Sequence, residues 1–323
     1  MGTQVRKVYL PIMGGLGNQL FQIHAATSID DIEFIVIDSK LFNKNPQEFK
    51  GTLPENYRVD KEFISGNSYP FNWITRRIGG LILRTNSYPQ HNRTIKFVGN
   101  IFRLLGVFLF SLRYRERIEL LAPTGVGFEP LNPNSARSLV LLGYFQSNRY
   151  ISDKELTETL IASQNGEAAV PITSPNNSST AEYPLIVHVR LGDYSINPQI
   201  GMLDAKYYLE NLTRVYDSTQ SSIIWLFSND VEQALKFIPV QLRSNTLVKE
   251  SRELDDSETL KLMSQGHAYF IANSTFSWWA ARLSTAKSSN IFAPKPWFAN
   301  MPDPYELIPK DWNRIESIFR VTD

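Results

Sequence analysis

Apolar runs bounded by turn-forming residues recur along the chain, at Val8–Ile12, Phe34–Ile37, Leu139–Leu142, Leu185–Val189, Ile223–Phe227, Ala268–Ile271 and Ile291–Phe292. Between several of them the apolar positions take helical spacing, as in Ala205–Tyr216, Val231–Phe237 and Ser257–Gln265. Strands that alternate with helices predict an α/β protein with mostly parallel sheets. The segment Ser163–Tyr183 is rich in Ser, Asn, Pro and Ala and has the composition of a linker. It divides the chain into two lobes, 1–165 and 166–323, and no internal repeat is visible.

One stretch departs from the ordinary mixture of charges. From Phe63 to Arg115 there is no Asp or Glu, while Arg76, Arg77, Arg84, Arg93, Lys96, Arg103, Arg113 and Arg115 all fall inside it. Phe71, Trp73, Tyr88, Phe97, Phe102, Phe108 and Phe110 are interleaved with them. Two readings are open for this insertion, at about 63–117. It is a core helix whose arginines snorkel or pair with acids elsewhere, or it rests peripherally on an anionic membrane.

Length and composition narrow the class. At 323 residues there is room for two domains, and 42% hydrophobic with 20% charged residues is a globular composition. A net charge of +1 leaves no basic excess for a nucleic-acid partner. With no cysteine, disulfides and cysteine-ligated metals are excluded, and a reducing cytosol fits. The first residues lack a signal-peptide core, and Arg6 breaks the myristoylation pattern. The longest apolar stretch, Phe97–Phe110, contains Arg103 and falls short of the ~20 residues that cross a bilayer. A cytoplasmic protein is expected, at most peripheral on the inner face of the membrane.

The turn after the first strand reads M-G-G-L-G-N-Q-L-F-Q. Gly15 and Gly17 begin a G-x-G-x-x-G pattern, and Asp38 ends the next strand where a ribose-binding acid belongs, so an NAD(P)-dependent oxidoreductase is one reading. The third glycine is absent, Leu20 standing in its place. Asn18 and Gln19 instead offer amides to sugar hydroxyls or a phosphate oxygen.

The second half is richer. L-I-V-H-V-R-L-G-D-Y is a buried-type strand ending in His188, Arg190 and Asp193, with His188 and Arg190 on one face. A guanidinium beyond the carboxyl end of a strand suits a phosphate, or it pairs with Asp193 to stiffen the turn. Ser228, Asn229 and Asp230 end another strand, where Asp230 accepts from a guanine or caps the helix that follows. Asn273, Ser274, Thr275 and Ser277 sit at a third strand-to-helix junction, where hydroxyls, amides and helix N–H groups make an anion site without a metal.

With G-G-L-G-N-Q-L-F-Q, G-Y-F-Q-S-N-R-Y from Gly143, H-V-R-L-G-D-Y, F-S-N-D, I-A-N-S-T-F-S-W-W, A-P-K-P-W-F and I-P-K-D-W in this order, the chain resembles the α-1,2-fucosyltransferases of glycosyltransferase family 11. One position departs: the second arginine of the family's H-x-R-R-x-D is Leu191 here. Strand alternation points that side chain away from Arg190, which leaves the phosphate role to Arg190 alone.

The resemblance implies a GT-B-like fold, two Rossmann-type lobes with mostly parallel sheets and a cleft between them. GDP-fucose would be held by the second lobe and a galactoside acceptor by the first, with Gly15, Gly17 and Asn18 as a floor for sugar and pyrophosphate. It implies inverting transfer of L-fucose from GDP-β-L-fucose to the 2-hydroxyl of a terminal β-galactoside, in bacterial surface-glycan (O-antigen) biosynthesis. Arg190 and the helix start at Asn273–Ser277 would stabilise the departing GDP, donors of this kind contributing ~3–4 kcal/mol each. Asp193 and His188 are the candidates for taking the acceptor proton. The chain contains no Asp-x-Asp, so neither a metal nor another cofactor is expected. A non-catalytic sugar-binding protein is a further reading.

Overall fold

A computed structural model of the chain describes residues 6–39, 41–42, 57–58, 71–86, 93–123, 127–134, 136–151, 183–192, 197–249 and 254–320. The chain forms two compact units, Met1–Leu160 with Tyr305–Leu307, and Ile161–Pro304 with Ile308–Asp323. Of the linker expected at 163–183, all but Tyr183 lies outside the described residues.

In the first unit the order is β1 (Arg6–Pro11), α1 (Leu16–Thr27), β2 (Ile32–Asp38), β3 (Tyr57–Arg58), α2 (Asn72–Asn86), α3 (Arg93–Tyr114), β4 (Ile118–Leu121) and β5 (Ser138–Leu141). Its strands form one sheet in the order β3-β2-β1-β5-β4, every neighbouring pair parallel. The second unit runs β6 (Pro184–Val189), α4 (Ala205–Ser218), β7 (Ile223–Ser228), α5 (Val231–Leu235), β8 (Thr246–Val248), α6 (Asp256–Met263), β9 (Ala268–Phe270), α7 (Thr275–Leu283), β10 (Ile291–Lys295) and β11 (Asn313–Glu316). Its sheet has the order β11-β10-β9-β6-β7-β8, again with parallel pairs throughout. Each unit is thus a Rossmann-type α/β lobe, the class that the alternating pattern predicts. Strands β5 and β6 are buried at every residue, as parallel strands covered on both faces must be.

The core of the second unit forms on one side of β6. Leu185, Val187, Val189 and Leu191 point there together and meet Tyr207, Tyr208, Leu212 and Phe270. The Tyr207 ring stacks on Phe270 at 4.9 Å. Leu191 therefore occupies the apolar side of the sheet, as strand alternation requires, and the opposite side is left to His188 and Arg190.

A buried ion pair organises the first unit. Asp38, at the end of β2, accepts from Arg113 Nε at 2.7 Å and from the Tyr114 hydroxyl at 3.0 Å, and Arg113 Nη2 lies 2.6 Å from the same carboxylate oxygen. Its other oxygen accepts from the Leu41 backbone N–H at 3.2 Å. Arg113 also donates to Asn72, at the start of α2. Burial and then the Asp38 charge push the Tyr114 pKa far up, so this hydroxyl remains a donor. The cluster fixes the last turn of α3 to the sheet, and the Tyr114 ring stacks on Tyr9 of β1 at 4.0 Å.

Helices α2 and α3 pair with Gly99 beside Thr85 and Gly106 beside Ile82, so they run antiparallel. For Arg113 the pairing of the basic stretch with an acid elsewhere holds. The apolar stripe does not follow the core-helix reading, because much of it is exposed. Helix α3 also continues past the run seen in the sequence, since Ser111 does not end it. Its window Phe97–Tyr114 is by length and composition long and apolar enough to cross a bilayer, and only a third of it is buried.

Replacing Asp38 by Asn leaves the Arg113 guanidinium buried without its counter-charge and is expected to destabilise the first unit by about 3–5 kcal/mol. The double change Asp38→Leu with Arg113→Met should recover most of that loss in denaturant unfolding. Wild-type stability in Asp38→Asn alone would show that the pair holds nothing together.

Candidate functional site

A parallel sheet opens its functional edge at the carboxyl ends of the strands, and ligands gather where the strand order reverses. In the second unit the chain goes from β6 outward to β7 and β8 and then returns to place β9 on the other side of β6. The reversal falls between β6 and β9. Strand β6 ends in Arg190, β7 in Ser228–Asp230, and β9 leads through Ile271 and Ala272 to Asn273. The register pairs Val187 with Phe270 and Val189 with Ser228, so by extension Arg190 is level with Asn273 on one neighbour and Asn229 on the other. The three junctions read separately in the sequence are adjacent along one sheet edge.

Arg190 is half-buried, and Gly192 follows with φ +71°, in the left-handed region that favours glycine. Asn229 holds this turn from the neighbouring strand. Its Oδ1 accepts from the Leu191 N–H at 2.9 Å, and its Nδ2 donates to the Leu191 carbonyl at 3.2 Å. A Cβ at position 192 would sit 2.7 Å from that same nitrogen. The amide expected to meet a ligand is thus engaged with the backbone that carries Arg190. Asp193, the remaining residue of the motif, lies outside the described residues.

Asp230 is exposed and caps α5, accepting from the Gln233 N–H at 3.1 Å, while the Ser228 hydroxyl accepts from the Asp230 N–H at 3.1 Å. At the third junction Ser274 is the N-cap of α7, in extended conformation and with no side-chain capping bond. The first N–H groups of such a helix have no intrahelical acceptor and face any anion set before them. Thr275, half-buried, opens the first turn. Asn273 is buried and donates to the Gly201 carbonyl at 3.0 Å. Ser277 is wholly buried and donates to the Ser274 carbonyl at 3.2 Å, so its hydroxyl proton serves the helix start. Trp278 and Trp279, both fully buried and edge to face at 5.1 Å, fix this helix start in place.

The His188 imidazole is buried on the same face as Arg190. Desolvation, and then the Arg190 charge, pull its pKa down to about 3. It is neutral at any working pH and a poor acceptor for an incoming proton. Its Nδ1 has no hydrogen-bond partner among the described residues. Its backbone carbonyl accepts from the Tyr208 hydroxyl at 3.0 Å, which ties β6 to α4.

The first unit also turns back beside its first strand, although here β4 takes the edge and β5 inserts between it and β1. Its order reverses between β1 and β5, and the turns after these two strands meet there. Gln146, after β5, donates to Asn18 Oδ1 at 2.9 Å. The glycine in the left-handed region is Gly14 (φ +74°), where a Cβ would fall 2.5 Å from Asn18 Nδ2, while Gly15 is the N-cap of α1 and Gly17 lies buried in its first turn. Gln19 donates to the Gly14 carbonyl at 3.0 Å, and Gln22 binds both N–H and carbonyl of Met13. The amides thus chiefly build the turn. Gln146 was not a candidate in the sequence, although G-Y-F-Q-S-N-R-Y contains it. Asp38, the acid that the dinucleotide reading assigned to a ribose, has its carboxylate taken up by Arg113, Tyr114 and Leu41.

The lowered pKa of His188 makes a prediction about acid. Above about pH 6.5 the buried neutral ring carries no penalty. Below it the unfolded chain takes up a proton that the fold refuses, so stability falls as pH drops toward 3. At pH 5 the loss is about 2 kcal/mol. His188→Gln should shrink the gap between unfolding free energies at pH 7 and pH 5 by that amount. An unchanged gap would mean that the ring titrates as it does in water.

The profile of Glycosyl transferase family 11 matches residues 133–316. An alpha-1,2-colitosyltransferase of Escherichia coli is 24% identical over 321 residues, covering 94% of this chain and 97% of the relative. The O-antigen biosynthesis glycosyltransferase WbnK, also of Escherichia coli, is 27% identical over 318 residues, covering 90% and 95%. Among solved structures, POFUT1 in complex with GDP aligns with a TM-score of 0.40 at 13% identity, over 90% of this chain and 98% of that one. A family 9 glycosyl transferase from Veillonella parvula aligns with a TM-score of 0.45 at 11% identity, over 98% and 87%. With the family's profile matched over more than half of its 323 residues, the chain belongs to glycosyl transferase family 11 and is a glycosyltransferase.

Proposed function

We propose that this glycosyltransferase moves L-fucose from GDP-β-L-fucose to the 2-hydroxyl of a terminal β-galactoside, with inversion, in the assembly of a bacterial O-antigen. The observation that carries the reading is the placement of a guanidinium and the N-terminus of α7 on neighbouring strand ends at the switch point of the second sheet. That pairing suits a diphosphate. Arg190 offers a planar fork of donors, and α7 offers backbone N–H groups and the positive end of its dipole. The relatives support the acceptor linkage and the pathway, since one is named for α-1,2 transfer and the other for O-antigen biosynthesis.

In the reaction the acceptor oxygen attacks C1 of the sugar from the face opposite the diphosphate. The C1–O bond breaks, and its electron pair stays on the β-phosphate oxygen. Arg190 and the start of α7 hold that developing charge in place of a divalent ion, in a chain without an Asp-x-Asp pair. Burial and the Arg190 charge disfavour the protonated form of His188, so the acceptor proton is proposed to go to another group. Asp193 is the carboxylate proposed for this step. Asp230, exposed while it caps α5, is proposed to accept from the N–H edge of guanine with its remaining lone pairs. In the first unit, the Asn18–Gln146 pair is proposed to meet sugar hydroxyls.

Arg190→Ala is expected to lower kcat/KM at least ~100-fold and to weaken GDP binding, and Arg190→Lys to recover little, because an ammonium lacks the fork. Wild-type turnover in Arg190→Ala would remove this side chain from the mechanism. Assays with nucleotide-activated fucose and colitose, each against lactose, should show faster transfer of fucose, and the reverse order would reassign the donor. Activity should survive EDTA; loss in EDTA with recovery in Mn²⁺ would contradict the metal-free scheme.

A further inference from the structure

Helix α3 is apolar on its exposed face as well as on its buried one. Its charged residue Arg113 and the Tyr114 hydroxyl point inward to Asp38. Leu109 and Phe110 are buried with them, but a second set of large apolar residues points outward: Leu104 is 73% exposed, Phe97 66% and Phe108 60%, with Ile101, Leu105 and Leu112 also exposed. These positions follow one another by three or four residues and therefore line one face of the helix. On α2 the residues Trp73, Arg77, Gly80 and Arg84 are all exposed and share one face at the same spacing, with Trp73 63% exposed. Such a contiguous apolar surface marks a place of contact.

The charge around it identifies the occupant. Arg77, Arg84 and Arg115 are exposed, and the sequence from Phe63 to Arg115 supplies no carboxylate. A second copy of the chain would bring the same exposed cations against one another across a two-fold axis. An acidic lipid surface meets both halves of the pattern at once, with acyl chains for Phe97, Leu104 and Phe108 and headgroup charge for the arginines. The helix also has the length of a membrane span, but its last turn is bonded into the sheet through Asp38, which orients α3 along a surface. Arg113 thus acts as the anchor that keeps the apolar face turned out.

We propose that the antiparallel pair α2–α3 is a docking face for an anionic lipid bilayer, on which the protein rests without spanning it. A glycan acceptor with a lipid tail would be met at that surface, whereas a soluble acceptor would not require it.

The test is co-sedimentation of the full chain with vesicles of phosphatidylglycerol and phosphatidylcholine, against phosphatidylcholine alone. Binding is expected to the anionic vesicles at low salt and to weaken as salt shortens the range of the headgroup field. Leu104→Ser with Phe108→Ser should lower the partition at least ~10-fold. Arg77→Gln with Arg84→Gln should lower it by a similar factor and erase the preference for anionic lipid. Val240→Ser, at an equally exposed apolar residue of the second unit, should change nothing. All four substituted residues on α2 and α3 are exposed, and melting curves check that the variants fold. Should the serine variant fail to fold, the arginine pair decides alone. Wild-type protein that stays in the supernatant overturns the proposal, as does binding that ignores both double variants. Light scattering that shows a dimer lost in the serine variant, with no vesicle binding, assigns the face to a second copy instead. Transfer to a soluble galactoside should be the same in every variant, so a failure of lipid binding is distinguishable from a failure of the catalytic reading.

Discussion

When every strand of a sheet runs the same way, every carboxyl end opens on one edge, and the connecting helices leave that edge uncovered only where the strand order turns back. Both units obey this constraint, with β1 beside β5 in one and β6 beside β9 in the other. Polar residues at the two switch points need no separate explanation for being near each other. The Asn18–Gln146 hydrogen bond spans 128 positions of sequence and exists because parallel pairing brings the two turns side by side. The proximity of Arg190 to the start of α7 has the same origin. The residues proposed to act in this chain lie at strand ends, and the sheet decides which ends are neighbours.

Side chains at those ends divide into ones that present and ones that brace. Asn229 and Asn273 are both amides at strand ends, yet each spends hydrogen bonds on a nearby backbone, Leu191 in one case and Gly201 in the other. In the proposed reaction the turn that carries the Arg190 guanidinium must not move when the diphosphate charge develops, since preorganised donors act without reorganising. The brace at Asn229 and the left-handed Gly192 meet that demand locally. His188 contributes bulk and neutrality beside Arg190, which preserves the cation without offering it a competing charge.

The interior of both sheets was legible from apolar runs, and all seven strands read that way are present within a few residues of their expected limits. The four missed strands are β3, β4, β8 and β11, which are the four sheet edges. An edge strand has a neighbour on one side only and tolerates polar residues, as in I-E-L-L and N-R-I-E, so its pattern is weak. The same locality explains the site. Strand-end positions such as Arg190 and Ser274 are visible in sequence, whereas bracing depends on partners 38 positions away for Asn229 and 75 for Asp38. Asp38 satisfies the pattern of a ribose-binding acid and is chemically committed elsewhere, because nothing local announces Arg113.

Leu191 commits the second unit to an apolar interior at this position. Its side chain lies among Val187, Val189 and Ala272 in the apolar cluster, on the far side of the sheet from Arg190. A guanidinium introduced there would lose its water among apolar neighbours, a cost of several kcal/mol against a margin of similar size. The lobe beneath is built around a hydrocarbon, so this chain cannot take a second arginine there by one mutation without reshaping its interior. Whatever selectivity among donors a second cation would confer is closed to it, and new preferences must arise from the loops above the strands.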